Sequence, residues 1–187
     1  MQKSWRLDHD KLTFIATLPP SALQNSVKNG EVAVSSIRNE IDRMLGDVNL
    51  FLVEDGEDQA AEGSSIVGEV EIMIARDDLQ GKGYGKAVLQ AFLWYIVQNQ
   101  ERILREYVEG AQLKSGLGLR FLRVKIDVNN ARSIKLFEGV GFRKISEKPN
   151  YFNELELRWD FDLETTRRLL QQADDSNLKE GPYVLYS

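Results

Sequence analysis

The stretch EVEIMIARDDLQGKGYGKAVLQ, Glu69 to Gln90, holds two kinds of chemistry in a short span. Gly81, Gly83 and Gly85 alternate with Lys82 and Tyr84, behind Gln80 and ahead of Lys86. Such bare backbone at the start of a helix meets N–H groups without acceptors and the positive end of the helix dipole, so it can wrap an anion closely. Lys82 and Lys86 would add charge there, or stand solvated. Upstream, Glu69 and Glu71 lie two apart on a strand, hence on one face. Partial burial side by side would raise one carboxyl toward neutrality and suit it to general-base work. On a half-exposed strand they would instead be a solvent-facing pair, and a water relay could replace both.

The glycine spacing decides between phosphate sites. A nucleotide-triphosphate loop needs four residues between its first glycine and Gly-Lys, then Ser or Thr. Here three residues separate Gly81 from Gly85-Lys86, and Ala87 follows. A dinucleotide fingerprint needs a third glycine where Lys86 stands. Phosphotransfer and dinucleotide binding are both disfavoured. The pattern that remains is Gln-x-x-Gly-x-Gly, carried by Gln80, Gly83 and Gly85.

The elements that would position these residues follow from periodicity. KLTFIAT (11–17), VNLFLV (48–53) and IVGEVEIMIA (66–75) read as strands, with Pro19-Pro20 ending the first. Residues 21–46 carry little pattern, though RNEIDRML suits one helical turn. The acidic, Gly/Ser-rich stretch 54–65 predicts an exposed hairpin loop. Leu89, Phe92, Leu93, Ile96 and Val97 recur at helical spacing, which predicts a helix over 84–107 and a loop over 108–118. LRFLRVKIDV (119–128) predicts a fourth strand, 131–139 a short helix, GFRKIS the start of a fifth strand, and 153–161 a sixth. LETTRRLLQQ (163–172) predicts a last, peripheral helix before a tail. The fold class is α/β (α+β), a mixed sheet flanked by helices.

Composition narrows the chemistry. With 187 residues the chain fits one domain, or one domain and a tail. It has no cysteine, which excludes disulfides and thiolate chemistry. Its one histidine, His9, sits in RLDHD and reads as a solvated surface residue rather than a metal ligand. The net charge of −5 argues against a nucleic-acid surface and favours amine partners. The start of the chain has no apolar leader-like run, and no apolar stretch approaches a membrane span, so a soluble, cytoplasmic protein without membrane contact is expected.

The glycine loop resembles the pyrophosphate loop of the GNAT superfamily of acyl-CoA-dependent N-acetyltransferases. Further on, VNNARSIKLFEGVGF (128–142) resembles the second motif of that family: Asn, then Ser, an apolar-aromatic pair, Glu, and Gly-Phe. GDVNLF (46–51), GEVEIMIA (68–75) and MQKSWRLDHDKLTFI at the start resemble the eukaryotic N-acetyltransferase 9 group within it. The resemblance covers residues 1–161, with 162–187 a helix and tail beyond the acyltransferase domain. It implies the GNAT-type, mostly antiparallel sheet, and acetyl-CoA as cofactor, leaving CoA as product. It places the cofactor diphosphate on Gly81, Lys82, Gly83, Tyr84, Gly85 and Lys86, with Gln80 shaping the turn. The pantetheine arm would pair with the main chain of Met73, Ile74 and Ala75. Asn130 would hydrogen-bond that arm, although an N-cap of the following helix is equally good physics.

Two departures matter. Where many members carry a tyrosine acid, this chain has Phe137, which cannot donate a proton. In a branch acting on protein N-termini a serine fills that role, and Ser133 stands at its place, as acid or as contact to the thiol; otherwise the thiolate leaves unassisted. Second, members begin with a strand and two helices that wall the acceptor site, and Met1 falls near the end of that region. Either the chain is a truncated product or it has lost that segment, and losing it would expose a sheet edge that a homodimer could cover. The reading is an N-acetyltransferase acting on a protein or peptide amine, with Glu69, Glu71 and Ser133 as its catalytic candidates. The alternative is a non-catalytic acyl-CoA-binding or protein-interaction module.

Overall fold

The structure is a computed structural model that describes residues 8–18, 43–55, 65–113 and 116–176. Residues 38–42 of RNEIDRML, residues 56–64 of the acidic loop and the tail beyond Ser176 lie outside the described residues. Six strands form one sheet: β1 (Lys11–Thr17), β2 (Met44–Glu54), β3 (Ile66–Ile74), β4 (Leu119–Asp127), β5 (Arg143–Lys144) and β6 (Glu154–Asp160), in the order β1-β2-β3-β4-β6-β5. Every neighbouring pair is antiparallel except β3 and β4, which run parallel. A parallel pair needs a long crossover. Helix α1 (Tyr84–Gly110) provides it; α2 (Ala131–Glu138) follows β4, and α3 (Leu163–Asp175) follows β6.

Strand alternation divides the sheet into two unlike faces. Val48, Leu50, Leu52, Val70, Leu122, Val124, Leu155, Leu157 and Trp159 point to one side and are buried. Leu89, Phe92, Leu93 and Ile96 of α1 pack on them, and Ile134 and Phe137 of α2 join the same core. The opposite face is mixed, with Val67 and Phe121 buried among polar and charged side chains, and carries no helix among the described residues. There Lys11 lies over Phe51 at 4.8 Å and Arg158 over Phe121 at 4.1 Å. Thr13 Oγ1 donates to the buried Asn49 Oδ1 at 2.7 Å, and Asn49 Nδ2 to Asp47 Oδ1 at 2.7 Å.

Several boundaries differ from the sequence reading. Strand β2 starts at Met44, so the last residues of RNEIDRML are extended, held across β1 by the pairing Thr17↔Met44. Helix α1 runs three residues past its expected end, because Val108 continues its apolar face against the core. Helix α3 is not peripheral: Leu169 and Ala173 are buried, and Gln90 Nε2 of α1 donates to Gln172 Oε1 at 2.7 Å. His9 is exposed, with its ring centroid 6.1 Å from that of Tyr107. Among the described residues no helix is long and apolar enough to cross a membrane.

Candidate active site

The parallel seam between β3 and β4 opens partway along. Its last opposed pair is Glu69↔Arg123, yet β3 continues against β2 to Ile74 and β4 continues against β6 to Asp127. Beyond Glu69 the two strands therefore part into a wedge that widens toward their carboxyl ends. Main-chain groups alternate sides along a strand. Ala75 N–H donates across β2 to Leu45 O at 2.8 Å, and the Met73 carbonyl lies against Gly46 on β2. By the same alternation the groups of Ile72 and Ile74 point into the wedge, as Ile66 N–H does further back, donating to Gly118 O at 3.0 Å. Of the three expected main-chain positions, Ile74 faces the gap, while Met73 and Ala75 face β2. Ile72 escaped the sequence reading, because which parity faces β4 follows from register rather than composition.

The glycine loop stands at the mouth of this wedge. A short 3₁₀ turn, Asp77–Leu79, ends β3 and is closed by Gln80 N–H to Asp77 O at 3.2 Å. Gly81 (φ 74°) and Gly83 (φ 88°) adopt left-handed backbone that side-chain-bearing residues rarely enter. Gly83 caps α1 with no side chain, and the first helical bond runs from Ala87 N–H to Gly83 O at 3.1 Å. The N–H groups of Tyr84, Gly85 and Lys86 thus have no intrahelical acceptor. The first turn holds no acidic residue. Lys82 and Lys86 are exposed, and Tyr84 and Gly85 half-buried. Gly85 packs near Leu136 of α2, whose Cδ2 would lie 3.4 Å from a β-carbon at that glycine.

The second motif supplies the other wall. Asp127 ends β4 and accepts from Asn129 N–H at 2.8 Å, while Asn130 N–H donates to Asp127 O at 2.8 Å. The Asn129 N–H, followed by the Asn129 and Asn153 side-chain amides, holds the Asp127 carboxyl below its ordinary range. Asn130 is the N-cap of α2, its Oδ1 accepting from Ser133 N–H at 3.1 Å. Its amide nitrogen has no partner among the described residues. Ser133 is half-buried. Phe137 is buried, edge-on to Phe142 with centroids 5.0 Å apart, so the ring at the tyrosine position belongs to the core.

The two loops touch. Gln80 Nε2 donates to Ile74 O at 2.9 Å, and Arg132 Nη1 donates to Gln80 Oε1 at 2.9 Å. One glutamine amide thereby ties the end of β3 to the start of α2. Arg132 was absent from the sequence reading. Its signal was a cation in the first turn of a helix, the wrong sign for the dipole.

The paired carboxylates separate in kind. Glu69 Oε2 accepts from Arg123 Nε at 2.9 Å and lies 3.2 Å from Lys125 Nζ. Glu71 is exposed on the mixed face, opposite Asn49, and has no charged or hydrogen-bonded partner among the described residues. The shared face is as expected, but shared burial is not, since Glu71 stands in solvent.

A parted parallel pair, a glycine loop at its mouth and an Asn-capped helix beside it stand together at the carboxyl ends of β3 and β4. The sequence profile of the acetyltransferase (GNAT) domain matches residues 6–143. An N-acetyltransferase 9-like protein of Schizosaccharomyces pombe is 31% identical, covering 84% of this chain and 73% of its own length. Alpha/beta-tubulin-N-acetyltransferase 9 of Drosophila melanogaster is 34% identical over 93% of this chain and 70% of its own, and the Homo sapiens protein of that name 32% identical over 98% and 70%. The fold is similar to that of aminoglycoside acetyltransferase AAC(6')-Ib, solved in complex with coenzyme A, with a TM-score of 0.51 at 16% identity over 86% of this chain and 70% of that one. On the match over residues 6–143 and these relatives, the chain belongs to the GNAT acetyltransferase family, alongside the N-acetyltransferase 9-like proteins.

Proposed function

We propose that this acetyltransferase transfers the acetyl group of acetyl-CoA to an amine at the start of a protein or peptide chain. The observation that carries the reading is the wedge, open from Glu69↔Arg123 onward with the glycine loop across its mouth. When bound, acetyl-CoA supplies an activated acetyl thioester. The N–H groups of 84–86 and the turn at Gly81–Gly83 hold the diphosphate, with Lys82 and Lys86 adding charge. The main chain of Ile72 and Ile74 lines the arm as a neighbouring strand would. The Asn130 side-chain amide meets the arm from the other wall.

Glu71 takes the proton from the acceptor ammonium, because its carboxylate is solvent-facing and uncommitted, whereas that of Glu69 is held by two cations. A carbon–nitrogen bond forms as the carbon–sulfur bond breaks, and Ser133 Oγ gives a proton to the departing thiolate, to be replenished from the acylated nitrogen. A protein acceptor is supported by the relatives named alpha/beta-tubulin-N-acetyltransferase 9. It is also supported by the exposed Ile15 and Met73, which flank Asp47 on the same face and would receive an apolar side chain next to the amine. The test is transfer of labelled acetyl from acetyl-CoA to a panel of peptides with free or blocked α-amines. Transfer to free α-amines alone supports the reading. Transfer only to lysine side chains, or to none with a folded sample that binds CoA, contradicts it.

A further inference from the structure

We infer that Arg132 is a ligand of the cofactor diphosphate, joining the glycine loop in one anion site; the inference rests on the acetyl-CoA reading above. Arg132 occupies the first turn of α2, where a cation opposes the helix dipole. No acidic residue stands in that turn to offset it, nor in the first turn of α1. Among the described residues Arg132 has no carboxylate partner; its hydrogen bond is to the neutral Gln80 Oε1 at 2.9 Å, made by one of its five N–H donors. Its other terminal nitrogen, Nη2, lies 3.4 Å from where a β-carbon of Gly81 would be, so the guanidinium lies over the left-handed turn of the anion cradle.

These facts share one explanation. Two helix starts and an uncompensated guanidinium meet at a turn stripped of side chains, and each is offset by a bound anion. The planar fork of Arg suits a bidentate grip on phosphate oxygens. The contact with Gln80 holds the fork in place before the ligand arrives. Because Gly81 belongs to the same turn, the phosphate gripped is that of the diphosphate rather than of the ribose.

Titration of CoA and of dephospho-CoA, which keeps the diphosphate but lacks the ribose phosphate, tests this on four proteins: wild type, Arg132→Ala, Arg132→Lys and Gln80→Ala. Arg132→Ala is expected to weaken both ligands by the same factor, about tenfold or more. Arg132→Lys should restore part of that loss. The salt dependence of affinity should become shallower in Arg132→Ala and stay unchanged in Gln80→Ala. Loss of CoA affinity alone would move the contact to the ribose phosphate and overturn the assignment. So would equal losses in Arg132→Ala and Gln80→Ala with unchanged salt dependence, which would make Arg132 a bracket for Gln80. Wild-type protein that bound neither ligand would overturn the acetyl-CoA reading beneath it as well.

Discussion

Glu69 and Arg123 face each other as the last opposed pair of the parallel seam, joined by a 2.9 Å bond from Arg123 Nε to Glu69 Oε2. Lys125, two residues further along β4, reaches back to the same oxygen at 3.2 Å. The carboxylate of one strand thus holds both the paired and the diverging part of the other. It is a clasp at the apex of the wedge, and that sets it apart from Glu71.

The first prediction separates the two. Glu71→Gln should lower kcat by about 10²-fold while leaving KM for acetyl-CoA near the wild-type value, as loss of a general base does. Glu69→Gln should keep kcat near the wild-type value while raising KM for acetyl-CoA and costing about 1 kcal/mol of stability, because the pair is partly exposed. A loss of kcat of about 10²-fold in Glu69→Gln, with little change in Glu71→Gln, would reverse the assignment.

A second concerns the cradle. Space around Gly83 is open, with nothing within 4 Å of a β-carbon there, but its φ of 88° is not. Gly83→Ala should fold with about 1 kcal/mol less stability. Gly83→Glu should also fold, yet lose CoA binding by a hundredfold or more, since it sets a carboxylate at the anion site. Circular dichroism and titration on the same samples check both halves.

A third addresses the acid. Phe137→Tyr should give no gain in kcat and should cost about 1–3 kcal/mol, because the hydroxyl would be buried against Phe142 without a partner. Ser133→Ala should lower kcat by about tenfold or more while leaving CoA affinity unchanged. Single-turnover kinetics with thermal melts would distinguish rate from stability.

A fourth follows from the turn before α2. Asp127 has its folded-state carboxyl lowered chiefly by the Asn129 N–H, and Asp162, the N-cap of α3, chiefly by the Thr165 N–H. A lowered carboxyl stabilises the fold above its unfolded value, about 3.9, and loses that contribution as pH falls through the folded value. Melting temperature should therefore drop below about pH 4. Asp127→Asn should flatten part of that drop in thermal melts taken across the acid range.

Most of the sheet was legible because β-rich runs are bounded by turn signals, as in KLTFIAT and NELELRWDF. The two motifs were legible because their glycines and asparagine mark helix starts, and helices do begin at Tyr84 and Ala131. What was missed depends on tertiary register. Met44–Leu45 reads as helical by propensity and is extended because β1 pairs with it. Leu169 and Ala173 join the core because α3 lies on α1, which local sequence does not reveal. The fates of Glu69 and Glu71, alike in sequence, were set by Arg123 and Lys125, more than fifty residues away.

The central claim is that the glycine loop and wedge hold a coenzyme A thioester. Calorimetric titration of the protein with acetyl-CoA, with CoA and ATP alongside, tests it most directly. Saturable binding of acetyl-CoA and CoA, and none of ATP, is the predicted result. A folded, monodisperse sample that binds neither coenzyme, or that binds ATP equally well, would contradict it.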